Sequence, residues 1–310
     1  MAAPKFLRTD YSDLFSSSAL PVLEEMFRFE LEMHPQIRDR IFKIVPTDRD
    51  IWQSSELHEM PAFSQVNEGE DYTFDRPKQG YDKTLTVLKY GLGFSISEEA
   101  VDDGKFDFIA DAVRKMARSA KESQEQAAMN IFNNGFSSET TADGVAVFHS
   151  THTTPSGSIT FRNRPASYAD LSLTSLETAL TDYMTIFRGD RGLYHRFTPK
   201  YLIVHPSELI NAKKLVGADK VPGSNNNDPN VAGQMGLTVL SSPLLTDSDA
   251  WFLTSDPSET GLRIVSRKPI ETKASGPDVG FMNDAIYYKA RYREKIGVTH
   301  AYGIYGNAGA

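Results

Sequence analysis

The sequence contains no cysteine. Disulfides, thiolate nucleophiles and cysteine-ligated metals are therefore excluded together, and any covalent strengthening would need other chemistry. Long apolar runs are missing as well. No stretch approaches the roughly 20 residues a membrane span requires, and the first ten residues, MAAPKFLRTD, lack the apolar core of a signal peptide. The expectation is a chain made and folded in a cytoplasm, with no membrane partner. A basic excess is also lacking. The net charge is -8, which argues against a dedicated nucleic-acid binder but allows a container that encloses nucleic acid without gripping it. Internal repeats, low-complexity tracts and the GxSxG, Walker A and HExxH patterns are all absent. Gly91-Leu92-Gly93 lacks the third glycine and the following helix of a dinucleotide loop. No catalytic residue, cofactor or metal is expected.

What is present suits a folded protein: 310 residues, 40% hydrophobic and 24% charged, long for one compact domain and short for three. Val22, Leu23, Met26, Phe27, Phe29 and Leu31 repeat at helical spacing after Leu20-Pro21, and the pattern stops near His34-Pro35. From Asp48 to Asp82 no helical or strand period is sustained. Trp52, Phe63, Tyr72, Phe74 and Tyr81 are scattered there among charges. That is too aromatic for a disordered linker, and a long loop cannot bury rings within itself. A partner surface is the economical reading, and a long β-hairpin lying on its own domain is the alternative.

A strand follows, with Leu88, Tyr90, Leu92, Phe94 and Ile96 on one face and Gly91 and Gly93 on the other. The steps Phe106, Ile109, Val113, Met116, Ala120, Ala127 and Ile131 predict a helix over about 105–133, interrupted at Ser123-Gln124 and closed by a left-handed stop at Asn134-Gly135. Its narrow apolar stripe suits a helix laid across a sheet. Residues 137–165 read as loop, and Leu173–Phe187 as a helix capped by Ser172 or Thr174. Lys200–Val204 reads as a buried strand, and His205-Pro206-Ser207-Glu208 opens a helix to about Leu215. After a polar loop, strands are expected at Leu237–Leu240, Ala250–Leu253, Leu262–Ile270 and Asp284–Val298. The middle portion thus alternates like a small α/β layer.

Three further features have blander explanations. His149 and His152 lie near Asp143, but no third ligand falls at metal-site spacing. Arg188-Gly189-Asp190 matches an adhesion tripeptide, which arises easily in an arginine- and glycine-rich turn. Glu98-Glu99 and Asp102-Asp103 sit where a helix dipole favours acids. The basic row Lys289, Arg291, Arg293 and Lys295 faces either packaged DNA, a neighbour's acids or solvent.

The order of these elements, together with the segments YDKTLTVLKYGLGFSISEEAVDD, ADGVAVFH, PKYLIVHP and DAIYYKARY, resembles the major capsid proteins of tailed bacteriophages, and the wording resembles the Mu-like major head subunit family. Encapsulin nanocompartments share that fold. The resemblance covers nearly the whole chain. It implies an α+β tailed-phage major-capsid fold: an N-terminal arm (1–47), an extended E-loop (48–87), a P-domain with its spine helix (88–168), an A-domain (169–265) and a C-terminal return to the P-domain (266–310). It implies a non-enzymatic subunit that self-assembles through hexamers and pentamers into an icosahedral shell around double-stranded DNA, contacted non-specifically. It locates the protein in the virion, assembled in the host bacterial cytoplasm.

Expected partners are other copies of the chain, a portal protein and a decoration protein. Some members begin with a long scaffolding segment, whereas this chain opens at the arm. A separate scaffolding protein, or prior removal of such a segment, is implied, and Met1 favours the former. Aromatics and arginine dominate interface hot spots. Trp52, Phe63, Tyr72, Phe74 and Arg76 are therefore the expected inter-subunit anchors of the loop, with Phe6, Tyr11 and Phe15 in the arm. Related shells form lysine–asparagine crosslinks; Lys78 and Lys83 lie in or beside the loop, with no local pattern naming a partner.

Overall fold

The computed structural model describes residues 19–76, 78–97, 99, 106–218, 220, 230–275 and 285–310. Its elements in chain order begin with helices α1 (Ala19–Met33) and α2 (Arg38–Ile41) and strands β1 (Lys43–Pro46), β2 (Ile51–Leu57), β3 (Gln79–Thr86) and β4 (Leu88–Ser97). The long helix α3 (Phe106–Asn133), β5 (His152–Thr153), β6 (Thr160–Phe161), α4 (Leu173–Thr185) and β7 (Tyr201–Val204) follow. The chain continues with α5 (Leu209–Gly217), α6 (Val231–Gln234), β8 (Thr238–Ser241), β9 (Trp251–Thr254), β10 (Leu262–Ala274), β11 (Ala285–Val298) and β12 (Ile304–Asn307).

Two four-stranded sheets organise the molecule. The first runs β1-β10-β11-β4 and the second β12-β9-β7-β8. In the first, β1 is parallel to β10, and the rest is antiparallel. In the second, β7 pairs in parallel with β8 and antiparallel with β9. The long strand expected at the C-terminus, β11, does lie in the first sheet, between β10 and β4. The residues beyond it do not stay there, because β12 forms an edge of the second sheet by pairing with β9. The tail is therefore shared between both sheets.

α3 has 28 residues and, at about 1.5 Å per residue, is a rod of about 42 Å. Its first half lies on the first sheet, where Ile109, Val113, Met116 and Ala117 pack with Ile96, Tyr288 and Ala290 and with Leu23 and Phe27 of α1. Its second half enters a core common to both sheets, where Met129 and Phe132 meet Ile264, Ile296, Ile203 and Phe252. A second core lies on the other side of the second sheet, where α4 and α5 cover Leu202, Val204, Trp251 and Leu253. α4 is capped by Ser172, as its sequence indicates, with a reciprocal Ser172–Ser175 capping box.

The polar gap in the apolar stripe of α3 now has a reason. Gln124 is buried and donates to Glu294 Oε2 at 3.0 Å, while Arg38 Nη1 donates to Glu294 Oε1 at 2.8 Å. Burial pushes the Glu294 carboxyl up, and Arg38 and Gln124 oppose that. This network ties α2, α3 and β11 together.

One expectation is corrected and one is narrowed. Gly135 does not adopt a left-handed conformation. It is glycine because a Cβ there would lie 2.7 Å from both the Ile131 carbonyl oxygen and the Phe148 ring. On β4, only Phe94 and Ile96 reach the core beneath the helices. Leu88, Tyr90 and Leu92 remain exposed at the sheet edge.

Breaking a buried ion pair from one side leaves a charge without its partner, at a cost of about 3–5 kcal/mol. Arg38→Met should lower the unfolding free energy of the unassembled subunit by that amount in denaturant titration, and Arg38→Met/Glu294→Leu should recover most of it. Equal stability of Arg38→Met and wild type would show that the network carries no such weight.

Candidate assembly surface

The segment without visible period resolves into a hairpin. β2 and β3 pair antiparallel from Ile51↔Thr86 to Leu57↔Gln79, and residues 58–76 and 78, at its far end, form no helix or strand. The foot of the hairpin is held by its own chain. Trp52, Leu85 and Val87 cluster with Val265 on the face of the first sheet opposite α3, and a Cβ on Gly297 would lie 2.6 Å from Leu85. Lys83 Nζ donates to the Thr140 carbonyl at 2.7 Å, so this lysine is engaged within the chain. Tyr81 Oη donates to the Thr154 carbonyl at 3.3 Å.

Further out, three carboxylate contacts, one of them an arginine ion pair, fasten the ribbon to the turn after α4. His58 pairs with Asp190, His195 Nε2 with Glu59 at 2.7 Å, and Arg191 Nη2 with Asp75 at 2.8 Å. The Arg191 backbone N–H also donates to Glu59. Gly189 leaves the room for this: a Cβ there would sit 1.9 Å from the Glu59 carboxylate. The Arg-Gly-Asp tripeptide is thus a socket for the loop. Asp190 is only 7% exposed and accepts from the Ser156 N–H at 2.8 Å, which makes it no free adhesion motif. The histidine pair is occupied in a similar way. His152 is buried, with Nδ1 on Asp143 at 2.7 Å and Nε2 on Asn163 at 3.1 Å, and the His149 ring bonds within its own turn.

Beyond the socket the ribbon projects bare rings. Phe63 is 105%, Phe74 91% and Tyr72 74% exposed. Of the expected anchors, these three are exposed in the far part of the loop, and so is Arg76. Trp52 lies apart, half-buried at the foot. Phe6, Tyr11 and Phe15 lie outside the described residues. Reading the sequence alone missed His58, Glu59, Asp190, Arg191 and His195, because ion pairs between distant segments leave no local pattern.

The sequence model of the family described as phage capsid protein matches residues 80–307. The chain belongs to the phage capsid protein family. The capsid structure of cyanophage P-SCSP1u is similar at a TM-score of 0.62 and 11% identity, over 89% of this chain and 88% of that one. The structure from Microbacterium phage Oxtober96 is similar at 0.55 and 12%, over 89% and 92%. A virus-like particle from Pyrococcus furiosus is similar at 0.51 and 11%, over 92% and 97%. At such identities the likeness shows the fold, which is the α+β fold of tailed-phage capsids. No curated protein matches the sequence significantly. The capsid protein is a structural shell subunit of the virion, and a compartment for protein cargo is the less supported reading.

Electrostatics at the socket give it a pH dependence. Burial, with repulsion from Asp143 and Asp190, pushes the Glu56 carboxyl up to about 7. Asp143 is held low despite burial, because His152 and Thr141 hydrogen-bond to it. Folding raises the Glu56 value above the ordinary 4.5, so its neutral form is the compatible one. The native state is then unpenalised below about pH 4.5 and loses stability as the pH climbs through 7. Glu56→Gln should raise the melting temperature at about pH 8 and flatten its decline from about pH 5. Thermal unfolding curves of the two proteins that stay parallel over that range would contradict the assignment.

Proposed function

We propose that this capsid protein is a major head subunit of the Mu-like group, and that its shell is icosahedral, built from hexamers and pentamers around double-stranded DNA. The subfamily rests on the segments ADGVAVFH, PKYLIVHP and DAIYYKARY. We assign 48–87 as the E-loop, 88–168 as the P-domain with α3 as its spine, 169–265 as the A-domain, and 1–47 as the arm. The strand order adds that 266–310 serves both sheets, through β11 in the first and β12 in the second.

The observation that carries the assembly reading is the contrast along the loop. Its foot and socket are anchored by a tryptophan, a lysine and three carboxylate contacts, while Phe63, Tyr72 and Phe74 are left in water. A fixed stem aims those rings at a neighbour, and burying aromatics is a strong source of interface energy. Contact between two different patches closes into rings, and each contact makes the next effectively intramolecular. A net charge of -8 suits a wall that encloses DNA without specific contacts. Assembly in the host cytoplasm with a separate scaffolding protein, a portal and a decoration protein completes the proposal.

Phe74→Ala should leave the subunit folded, with an unchanged circular dichroism spectrum, and should lower shell yield about tenfold or more, as expected for loss of a hot spot of about 1.4 kcal/mol or more. Shells in normal yield and of normal heat stability, counted by electron microscopy, would overturn the role given to the loop.

A further inference from the structure

The two four-stranded sheets end on edge strands that are unequal. Among the described residues β1, β8 and β12 have 4 residues each, and β1 carries Lys43 at one end and Pro46 at the other. Short strands, lysine and proline are common means of keeping an edge from pairing with another chain. The remaining edge, β4, has 10 residues, no proline and a single charge, Lys89. One side of it pairs with β11 along its whole length. Among the described residues no strand meets the other side. A long row of backbone N–H and C=O groups is presented there, a template for one more strand.

The side chains of β4 fit the same reading. Residues 88–93 are all exposed, although they lie in a sheet. Leu92, at 56%, is the most exposed of the apolar row that runs Leu88, Tyr90, Leu92, Phe94 and Ile96. Beside Tyr90 and Leu92 a hollow of about 250 Å³ opens between β4 and α3, and the helix turns the small side chains of Ser119, Ala120 and Ser123 toward it. A strand added at this edge would send alternate side chains into that hollow.

The edge is complementary to itself. Residues directly opposite in an antiparallel pair point to the same face. A second β4 meets that condition about a two-fold axis standing upright on the sheet. With the axis through Leu92, the copies pair from Leu88 to Ile96. Leu88 then meets Ile96, Tyr90 meets Phe94 and Leu92 meets its own counterpart, so the apolar row lies on itself. Lys89 meets Ser95, and no like charges are opposed. The proposed shell needs a contact of this kind. Head-to-tail contacts between different patches close into rings, and joining rings into a wall takes a second contact. An upright two-fold axis lays both sheets flat in that wall.

We infer that β4 of one copy pairs antiparallel with β4 of a copy in the adjoining ring, about a two-fold axis at Leu92, so that one continuous sheet crosses the joint. This rests on the chain forming rings through its loop and adds how rings are joined. An extended strand of another protein would also satisfy the backbone, but it would have to bring the apolar alternation that β4 already has.

The test uses the absence of cysteine from the chain. Directly opposed residues of an antiparallel pair have Cα atoms about 4.5–5.5 Å apart, inside the disulfide range of about 4.4–6.8 Å. Shells of Leu92→Cys, oxidised with copper–phenanthroline, should therefore run as covalent dimers on a non-reducing gel. Leu88→Cys is the control. Its two copies lie roughly 26 Å apart at about 3.3 Å per residue, and it should stay monomeric. Leu92→Lys sets like charges across the axis. It should keep the melting curve of the unassembled subunit and lower shell yield about tenfold or more, with rings the main species in sedimentation. Normal shells from Leu92→Lys overturn the inference, as do dimers formed equally by Leu88→Cys. Monomeric Leu92→Cys in oxidised shells overturns it in favour of a strand from another protein. If Phe74→Ala yields single subunits while Leu92→Lys assembles normally, the joint is elsewhere and the role of the loop stands. If Leu92→Cys crosslinks while Phe74→Ala assembles normally, the joint stands and the role of the loop falls.

Discussion

A two-stranded ribbon has no interior. Two strands and a loop can pair their backbones, but apolar side chains beyond the foot stay in water until another surface reaches them. The loop between β2 and β3 meets this constraint in two ways along its length. Near the base, the first sheet and the turn around Gly189 supply the missing surface, and the ribbon is fixed by packing and by charge. Farther out none of the described residues covers Phe63, Tyr72 or Phe74. The socket contacts are partly exposed and individually modest. Their use is to hold a direction, so that the bare end does not have to search for its partner by bending.

That direction is meaningful only if the body behind it is stiff. The body is stiff because α3 belongs to both halves of the molecule, with one end laid on the first sheet and the other embedded between the two sheets. The Arg38–Glu294–Gln124 network sits at the changeover, where an apolar stripe alone would allow the helix to slide in register. Buried polar groups specify geometry where apolar ones would tolerate several arrangements, which is the role we assign to this triad.

Much of the scaffold was legible in the sequence. α3, α4 and β11 carry long, consistent periods, and periodicity reports burial on one side. The hairpin was legible only as an alternative, because β2 alternates between half-buried and exposed positions with no apolar face: Trp52, Ser54 and Glu56 on one side, Ile51, Gln53 and Ser55 on the other. Gly135 was noticed for the wrong reason, since its demand is for space beside Phe148 and not for a backbone angle. In the candidate site the rings stood out because they had no pattern to join. The socket stayed hidden, since nothing near His58 or Glu59 in sequence announces Asp190 or His195. Five large residues on β4 looked equivalent by alternation, yet the helices cover only Phe94 and Ile96, and a one-dimensional period cannot show where a covering helix stops.

The strand order of the first sheet has a consequence in time. β1 joins its sheet only by pairing with β10, from Lys43↔Arg263 to Pro46↔Ser266, and β4 only by pairing with β11, from Leu88↔Glu294 to Ser97↔Ala285. Emerging from a ribosome, β1 and β4 have no four-stranded sheet to enter until β10 and β11 have been synthesised, and pairings so distant in sequence are slow to form. The foot of the hairpin packs on Val265, so its seat too is completed only by β10. A copy that lacks the late strands therefore has neither its first sheet nor a fixed base for the loop.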